Sequence, residues 1–309
     1  MRRLIVAVAA LLALAAGAAG AESPATAPFL WQVAGPSTTH YLLGSVHLLP
    51  PAAAELPAGI RQAFEASDVL VFESDIDALS DRDSTAAMID SAKAPRGLKA
   101  EVDATTLARV QARMADLRMP AALCERYRPW FCALSLELFT YQRAGFRGEY
   151  GLDRRLYDEA RRSKRPIHWF EAPKAHLALF TAMPATLSRS LLDAALSERN
   201  PKDEEPVEMF RAWRDNDVEA LTKVLGRFKD DYPDIHAHLL ARRNRAWLPE
   251  LKRRLALPDR QLFVVGAAHW IGPDGLIASL EAAGYRVQPY LAVTPDRQTR
   301  AAAALLASH

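Results

Sequence analysis

Two uninterrupted hydrophobic runs set the terms for this chain: Tyr41-Leu-Leu-Gly44-Ser-Val-His47 and Phe263-Val-Val-Gly266-Ala-Ala-His269. Neither alternates polar with apolar side chains, as a strand with one wet face would, so both read as strands buried on both sides. Each breaks at a glycine and offers a histidine three residues later. A third run, Val69-Leu-Val-Phe72, ends in Glu73. Two imidazoles and a carboxylate, each leaving the end of a separate buried strand, form a suitable ligand set for a divalent metal.

The elements around these runs follow an α/β pattern. Phe29 to Val33 and Tyr41 to Ser45 read as strands, Ile60 to Ala66 as a helix, and Val69 to Glu73 as the next strand, which implies a parallel crossover. Pro50-Pro51 forces a turn before that helix. Amphipathic stretches then span Thr105 to Leu117, Trp130 to Tyr141 and Leu152 to Arg161, with Pro129 suited to a helical first turn. A short strand is expected at Pro166 to Phe170, ending in Glu171. Helices return from Lys174 to Leu255, followed by a strand at Gln261 to Val265, a helix from Gly275 to Ala283 and a closing strand at Val287 to Leu291. The expected fold is a central mixed sheet built from N- and C-terminal α/β elements around a large helical region, about residues 77–255. No linker divides residues 22–294, which read as a single domain; the alanine-rich tail, 295–309, reads as flexible.

The N-terminus reads as an export signal: Arg2 and Arg3, thirteen apolar residues from Leu4 to Ala16, then small residues up to Ala21. That stretch is shorter than the ~18 residues a membrane span needs, so residues 1–21 are expected to be a signal peptide cleaved near Ala21. A periplasmic or secreted protein without a membrane span follows as the expectation. The formal charge of +2 falls to zero once Arg2 and Arg3 are removed, which gives no basis for nucleic-acid binding. Cys124 and Cys132 can close a small loop in an oxidising compartment; the spacing leaves bridged and free forms both open.

Other residues add to the candidate site. Gly44 and Gly266 permit the close approach or positive φ of a ligand-facing turn. Glu73, leaving an apolar strand, needs a cation or donors to offset desolvation, and Glu171 repeats that pattern. On the helical stretch from Asp234 to Leu255, which Pro249 can kink, the apolar stripe of Leu240, Trp247, Leu251 and Leu255 is interrupted by Arg243 and Asn244. An inward arginine needs an anion: Glu73, Glu171 or a substrate carboxylate; at the margin of the stripe it would instead snorkel to water. Asp274 or Gly275 can start the following helix. There is no Gly-x-Ser-x-Gly elbow, phosphate-binding glycine loop or His-Glu-x-x-His helix.

Taken together, Tyr41 to His47, Phe72-Glu73, Pro129-Trp130, Gly151-Leu-Asp153, Phe170-Glu171, Arg243-Asn244 and Val264 to Leu276 resemble the TraB/PrgY/GumN family, whose animal relatives include the Tiki proteases. The resemblance covers Phe29 to Leu291. It implies an erythromycin esterase/ChaN-like α/β fold and a hydrolase using a divalent metal, manganese or cobalt, while the donor set itself does not select among Mn, Co, Zn and Fe. On this sequence the metal ligands would be His47, Glu73 and His269. Ser45 stands where the family often has threonine, and Trp270, in place of a common leucine, would narrow the cleft.

The expected activity is cleavage of peptide or amide bonds, with Glu73 as ligand or general base and Arg243 holding a substrate carboxylate or an oxyanion. Gly44, Glu171, Asn244, Gly266 and Trp270 would bind substrate or support the ligands. Two other readings use the same cleft: a non-catalytic protein that sequesters a peptide or metal, and a metal-free esterase working with a His/Glu pair on small ester substrates.

Overall fold

The computed structural model describes residues 26–53, 55–120, 122–197 and 204–291. The signal segment, its cleavage near Ala21 and the tail from residue 295 lie outside them. The described chain is a mixed α/β structure around one six-stranded sheet: β1 (Thr26–Ala34), β2 (Thr39–Ser45), β3 (Val69–Phe72), β4 (Ile167–Trp169), β5 (Gln261–Gly266) and β6 (Val287–Leu291). Across the sheet the order is β4-β3-β5-β2-β1-β6. β4, β3, β5 and β2 run parallel, and β1 lies antiparallel between β2 and β6.

This order explains how residues more than two hundred positions apart meet. β2 leads through the helix Ala58–Ala66 into β3, yet the two strands are not neighbours. β5, arriving from the C-terminal part of the chain, occupies the place between them. Gly44 pairs with Val265 and Ser45 with Gly266 on one side of β5, while Phe72 pairs with Val264 on the other. The carboxyl ends of β2, β5 and β3 are therefore adjacent, and ligand sites in parallel sheets form at such ends.

The unbroken apolar runs have the burial their composition demands. Leu42, Leu43, Leu70, Val71, Phe263 and Val265 are fully buried in one core with Phe29, Trp247, Leu251 and Leu255. Burying a side chain of this size stabilises by roughly 1.5–3 kcal/mol. A second, smaller cluster holds the helical region together through Leu98, Val110, Met114, Leu136 and Leu192. Cys124 and Cys132 belong to it and are bridged, with Cα atoms 5.1 Å apart. Among the described residues, no helix is long and apolar enough to cross a membrane.

Helix limits follow local chemistry. Pro129 opens the helix Pro129–Arg143, and Asp75 accepts from the backbone N–H groups of Asp77 and Ala78 to start Ile76–Leu79. The stretch read as one helix from Asp234 to Leu255 has an internal break: Pro233–His236 passes through a π-helical turn at Ala237–Ala241 before Arg242–Leu255, which keeps Pro249 inside it. Single π turns recur near functional sites because the extra residue redirects the side chains that follow, and here Arg243 and Asn244 follow immediately. Gly275 starts the helix Leu276–Ala282, and the Asp274 carboxylate instead pairs with Lys229 at 2.7 Å.

Candidate functional site

β2, β3 and β5 deliver His47, Glu73 and His269 to one end of the sheet. A methyl group added at Gly266 would lie 3.1 Å from Glu73 Oε1, 3.8 Å from His269 Cδ2 and 3.9 Å from His47 Nε2. The three side chains thus surround the space above one glycine. Neither Gly44 nor Gly266 has positive φ; both are needed for close approach. At Gly44 an added methyl would meet Phe29 Cβ at 3.0 Å and Ala267 Cα at 3.1 Å.

Arg243 is the hub of the site. Its Nη2 donates to Glu73 Oε2 at 2.6 Å and to Glu171 Oε1 at 2.7 Å. Its Nη1 donates to His269 Nε2 at 3.0 Å and to the Leu239 carbonyl at 3.1 Å, and its Nε donates to Glu171 Oε2 at 3.3 Å. The guanidinium also lies over the Trp247 ring, 4.4 Å from its centroid. With its side chain 11% exposed, Arg243 points inward and does not snorkel; of the three anions considered for it, two carboxylates are present together.

The two imidazoles that close the paired motifs are in opposite environments. His269, on the short helix Ala267–Trp270, is buried, with its ring centroid 4.7 Å from that of Trp247 and the planes tilted by 36°. Asn244 spends its Nδ2 on the carbonyls of His269 and Asp274, so its Oδ1 accepts from His269 Nδ1 at 2.6 Å. That fixes the proton on Nδ1 and leaves Nε2 to accept from Arg243. Burial, with the Arg243 charge, lowers the His269 pKa to about 4, so the ring is neutral at physiological pH. The His47 side chain, by contrast, is 64% exposed, and its Nδ1 pairs with Asp153 Oδ2 at 2.6 Å. The Asp153 charge raises the His47 pKa to about 9 and keeps the ring protonated.

Both carboxylates stay ionised despite their position. Burial works against ionisation of Glu73, but Arg243, protonated His47 and the Gly266 N–H, which donates to Oε1 at 2.8 Å, outweigh it, and His269 adds its charge once it protonates at low pH; together they hold Glu73 well below the usual carboxylate range. Burial opposes ionisation of Glu171 as well. Donors from His176 Nδ1 at 2.7 Å, Arg243 and Trp247 Nε1 at 3.2 Å outweigh it.

Asp153, His176 and Trp247 hold the site together, although sequence reasoning assigned none of them a site role: Asp153 entered only within the Gly151-Leu-Asp153 motif of the family resemblance, and Trp247 only as part of an apolar stripe. Asp153 sits in the first turn of Leu152–Arg162, where an acid is unremarkable for a helix N-terminus. His176 and Trp247 lie on helical faces with no local anomaly. Trp270 lies apart from the cleft: fully buried, it donates from Nε1 to the carbonyls of Leu43 at 2.9 Å and Val265 at 3.2 Å, bracing the ends of β2 and β5.

A divalent ion would need donors that the site has already committed elsewhere. Nε2 of His269 is turned to Arg243, and Glu73 gives one oxygen to Arg243 and the other to the Gly266 N–H. Among the described residues, no three His, Cys, Asp or Glu side chains are grouped so as to hold a metal. As arranged, His47, Glu73 and His269 do not fit one ion, because the Arg243 guanidinium occupies the cation's place.

Together the fold and the site define a mixed α/β protein with a charged cleft at the carboxyl edge of its parallel strands. A model of the TraB/PrgY/gumN family matches residues 29–289, and the chain belongs to that family. The chain is similar to the uncharacterized protein YbaP of Escherichia coli (strain K12), 25% identical over 247 residues that cover 78% of this chain and 88% of that protein. The protein of the same name from Shigella flexneri matches to the same extent. No solved structure matches.

Proposed function

We propose that the protein is an exported hydrolase of peptide, amide or ester bonds, with an erythromycin esterase/ChaN-like arrangement of the sheet, working in the periplasm or outside the cell. The observation that carries this reading is the opposed tuning of two groups around one space: His47 held protonated by Asp153, and Glu73 held ionised by Arg243. Neighbouring groups driven apart in this way are suited to divide acid and base roles.

In the proposed reaction, water attacks the acyl carbon while Glu73 takes its proton, and His47 Nε2–H delivers a proton to the departing nitrogen or oxygen. The products are a carboxylic acid and an amine or alcohol. The proton left on Glu73 then has neutral His47 as a stronger base to move to, which restores the starting state. Asp153 and Asn244 orient the two imidazoles, and Arg243 fixes Glu73.

A metal-dependent form of this proposal competes with it. The Nε2 of His47 faces the cleft with Nδ1 tied to a carboxylate, an arrangement common among metal-binding histidines. Mn, Co or Zn would take this position only if Arg243 gave way, so no step is derived through an ion. A protein that sequesters peptide or metal without cleavage is the non-enzymatic alternative.

One experiment separates these readings: chelator-treated protein, with and without single added metals, is incubated with a peptide library, and new amine ends are counted by mass spectrometry. Cleavage that survives chelation and falls 100-fold or more in His47→Ala and Glu73→Gln is the expected result, in keeping with the ~10²–10⁴-fold weight of general acid–base groups. Cleavage restored only by one metal would favour the metal form. Saturable capture without new ends would overturn the hydrolytic proposal.

A further inference from the structure

His47 and Glu73 stand where two cavities meet. One, of about 500 Å³, is walled by apolar side chains that include Phe146, Phe180, Met209, Phe210, Trp213 and Leu240. The other, of about 270 Å³, lies between β3 and the helix that carries Asp153, and is lined by Ser45, Ser74, Ser80 and Asp153 among others. His47, Glu73, His176 and Ser45 border both.

Two observations limit what can fill this pair of chambers. First, the hydroxyls of Ser45 and Ser74, both on residues 2% exposed, find no hydrogen-bond partner among the described residues, and both residues line the smaller cavity. A buried hydroxyl without a partner is costly, so a ligand with amide hydrogen-bonding groups suits the smaller chamber. Second, among the described residues the cations that border the larger chamber, Arg243 and protonated His47, are both already paired, Arg243 with Glu73 and Glu171 and His47 with Asp153. A carboxylate entering there would meet the Glu73 charge and no cation that is not already paired.

We infer that the protein takes neutral amides with a large hydrocarbon group on the acyl side, the hydrocarbon filling the 500 Å³ chamber and the amide portion bonded by Ser45 and Ser74. Which half of the substrate leaves rests on the hydrolytic reading above; the occupancy of the chambers does not. The hydrocarbon can be a linear acyl chain or a bulky peptide side chain, since both present the same chemistry to the wall.

The test is calorimetric binding to the whole protein of butanamide, hexanamide, octanamide and decanamide, with N-acetylphenylalaninamide as the peptide arm and decanoate as the anionic control. Ammonia release is followed separately. Affinity should rise about fourfold per added methylene until the chamber is full, and decanoate should bind at least tenfold more weakly than decanamide. Tighter binding of N-acetylphenylalaninamide than of octanamide would assign the chamber to a side chain, and the reverse to an acyl chain. Met209→Trp should flatten the length dependence, and Leu225→Phe, in the same wall, serves the same purpose should that variant fail to fold. Ser74→Ala should weaken all amides alike, by about three- to tenfold. Equal affinity across the series, or decanoate binding as tightly as decanamide, overturns the inference. Length-dependent binding without ammonia release would sink the hydrolytic proposal and leave this one standing; release that ignores chain length would do the opposite.

Discussion

Replacing Arg243 by methionine would keep most of the length of the side chain and remove the charge that two nearly buried carboxylates depend on. The guanidinium makes five hydrogen bonds to Glu73, Glu171, His269 and the Leu239 carbonyl, and the side chains of Glu73 and Glu171 are 12% and 13% exposed. Removing one partner of such a set leaves uncompensated buried charge, at a cost of about 3–5 kcal/mol. That is a large part of a total stability of roughly 5–15 kcal/mol. At about 2–4 °C per kcal/mol for a domain of this size, Arg243→Met should lower Tm by about 6–20 °C in a calorimetric scan at pH 7.5. The deficit should shrink at pH 5, because without Arg243 burial raises both carboxyls, which protonate more readily. Arg243→Lys should fall between the two, since one ammonium cannot reproduce the planar fork. A variant within 2 °C of the native protein, or one whose deficit is the same at pH 5, would refute this account of the hub. The variant also tests the metal form: an ion that raises its Tm, and leaves the native Tm unchanged, would show that the same acceptors hold a cation once the guanidinium is gone.

Asp153→Asn should let the His47 pKa fall from about 9 toward its ordinary 6.5, followed by NMR titration of the ring; the alkaline limb of any hydrolytic activity should move down with it, whereas a limb that stays in place would remove His47 as the acid. His269 titrates in the opposite sense. Its folded pKa of about 4 lies below the unfolded 6.5, so the unfolded chain takes up the proton first and stability is lost as pH falls from 6.5 to 4, by about 3 kcal/mol in denaturant unfolding. Exchanging Cys124 and Cys132 together for serine should cost about 2–3 kcal/mol on the chain-entropy estimate for so small a loop, seen as a Tm lower by roughly 4–12 °C.

The strands were legible because their runs carry no surface face. Tyr41 to Ser45, Val69 to Phe72 and Gln261 to Val265 are strands in the structure. Arg243 was legible for a related reason, as a charge on a stripe that otherwise packs inward. The order of strands was not legible, because nothing in Gln261 to Gly266 records that β5 pairs with β2 and β3 at once. Asp153, seen only as part of a family motif, and His176 could not be assigned to the site because a first-turn acid and a helical histidine satisfy local rules completely. Their links to the site lie outside their own helices: His47 is 106 residues from Asp153, and His176 joins the site through Glu171, whose other partner, Arg243, is 72 residues further on.

The two Gly-x-x-His segments show where local pattern stops carrying information. Both leave parallel neighbouring strands after a glycine, and their registers differ by a single residue, with Gly44 opposite Val265 and Ser45 opposite Gly266. One ring nevertheless ends under Trp247 and Asn244, neutral and sealed, while the other lies open beside Asp153 and holds its proton. The difference comes from the helix Arg242–Leu255, which packs into the same core as β5 and supplies Arg243, Asn244 and Trp247 at a spacing that places all three against His269. His269 is therefore better understood as the acceptor that aligns Arg243 than as a second copy of His47. Removing its Nε2 lone pair while keeping the bulk, as in His269→Phe, should disturb Glu73 through Arg243. His47→Phe should leave that triad in place and silence only the proton donor.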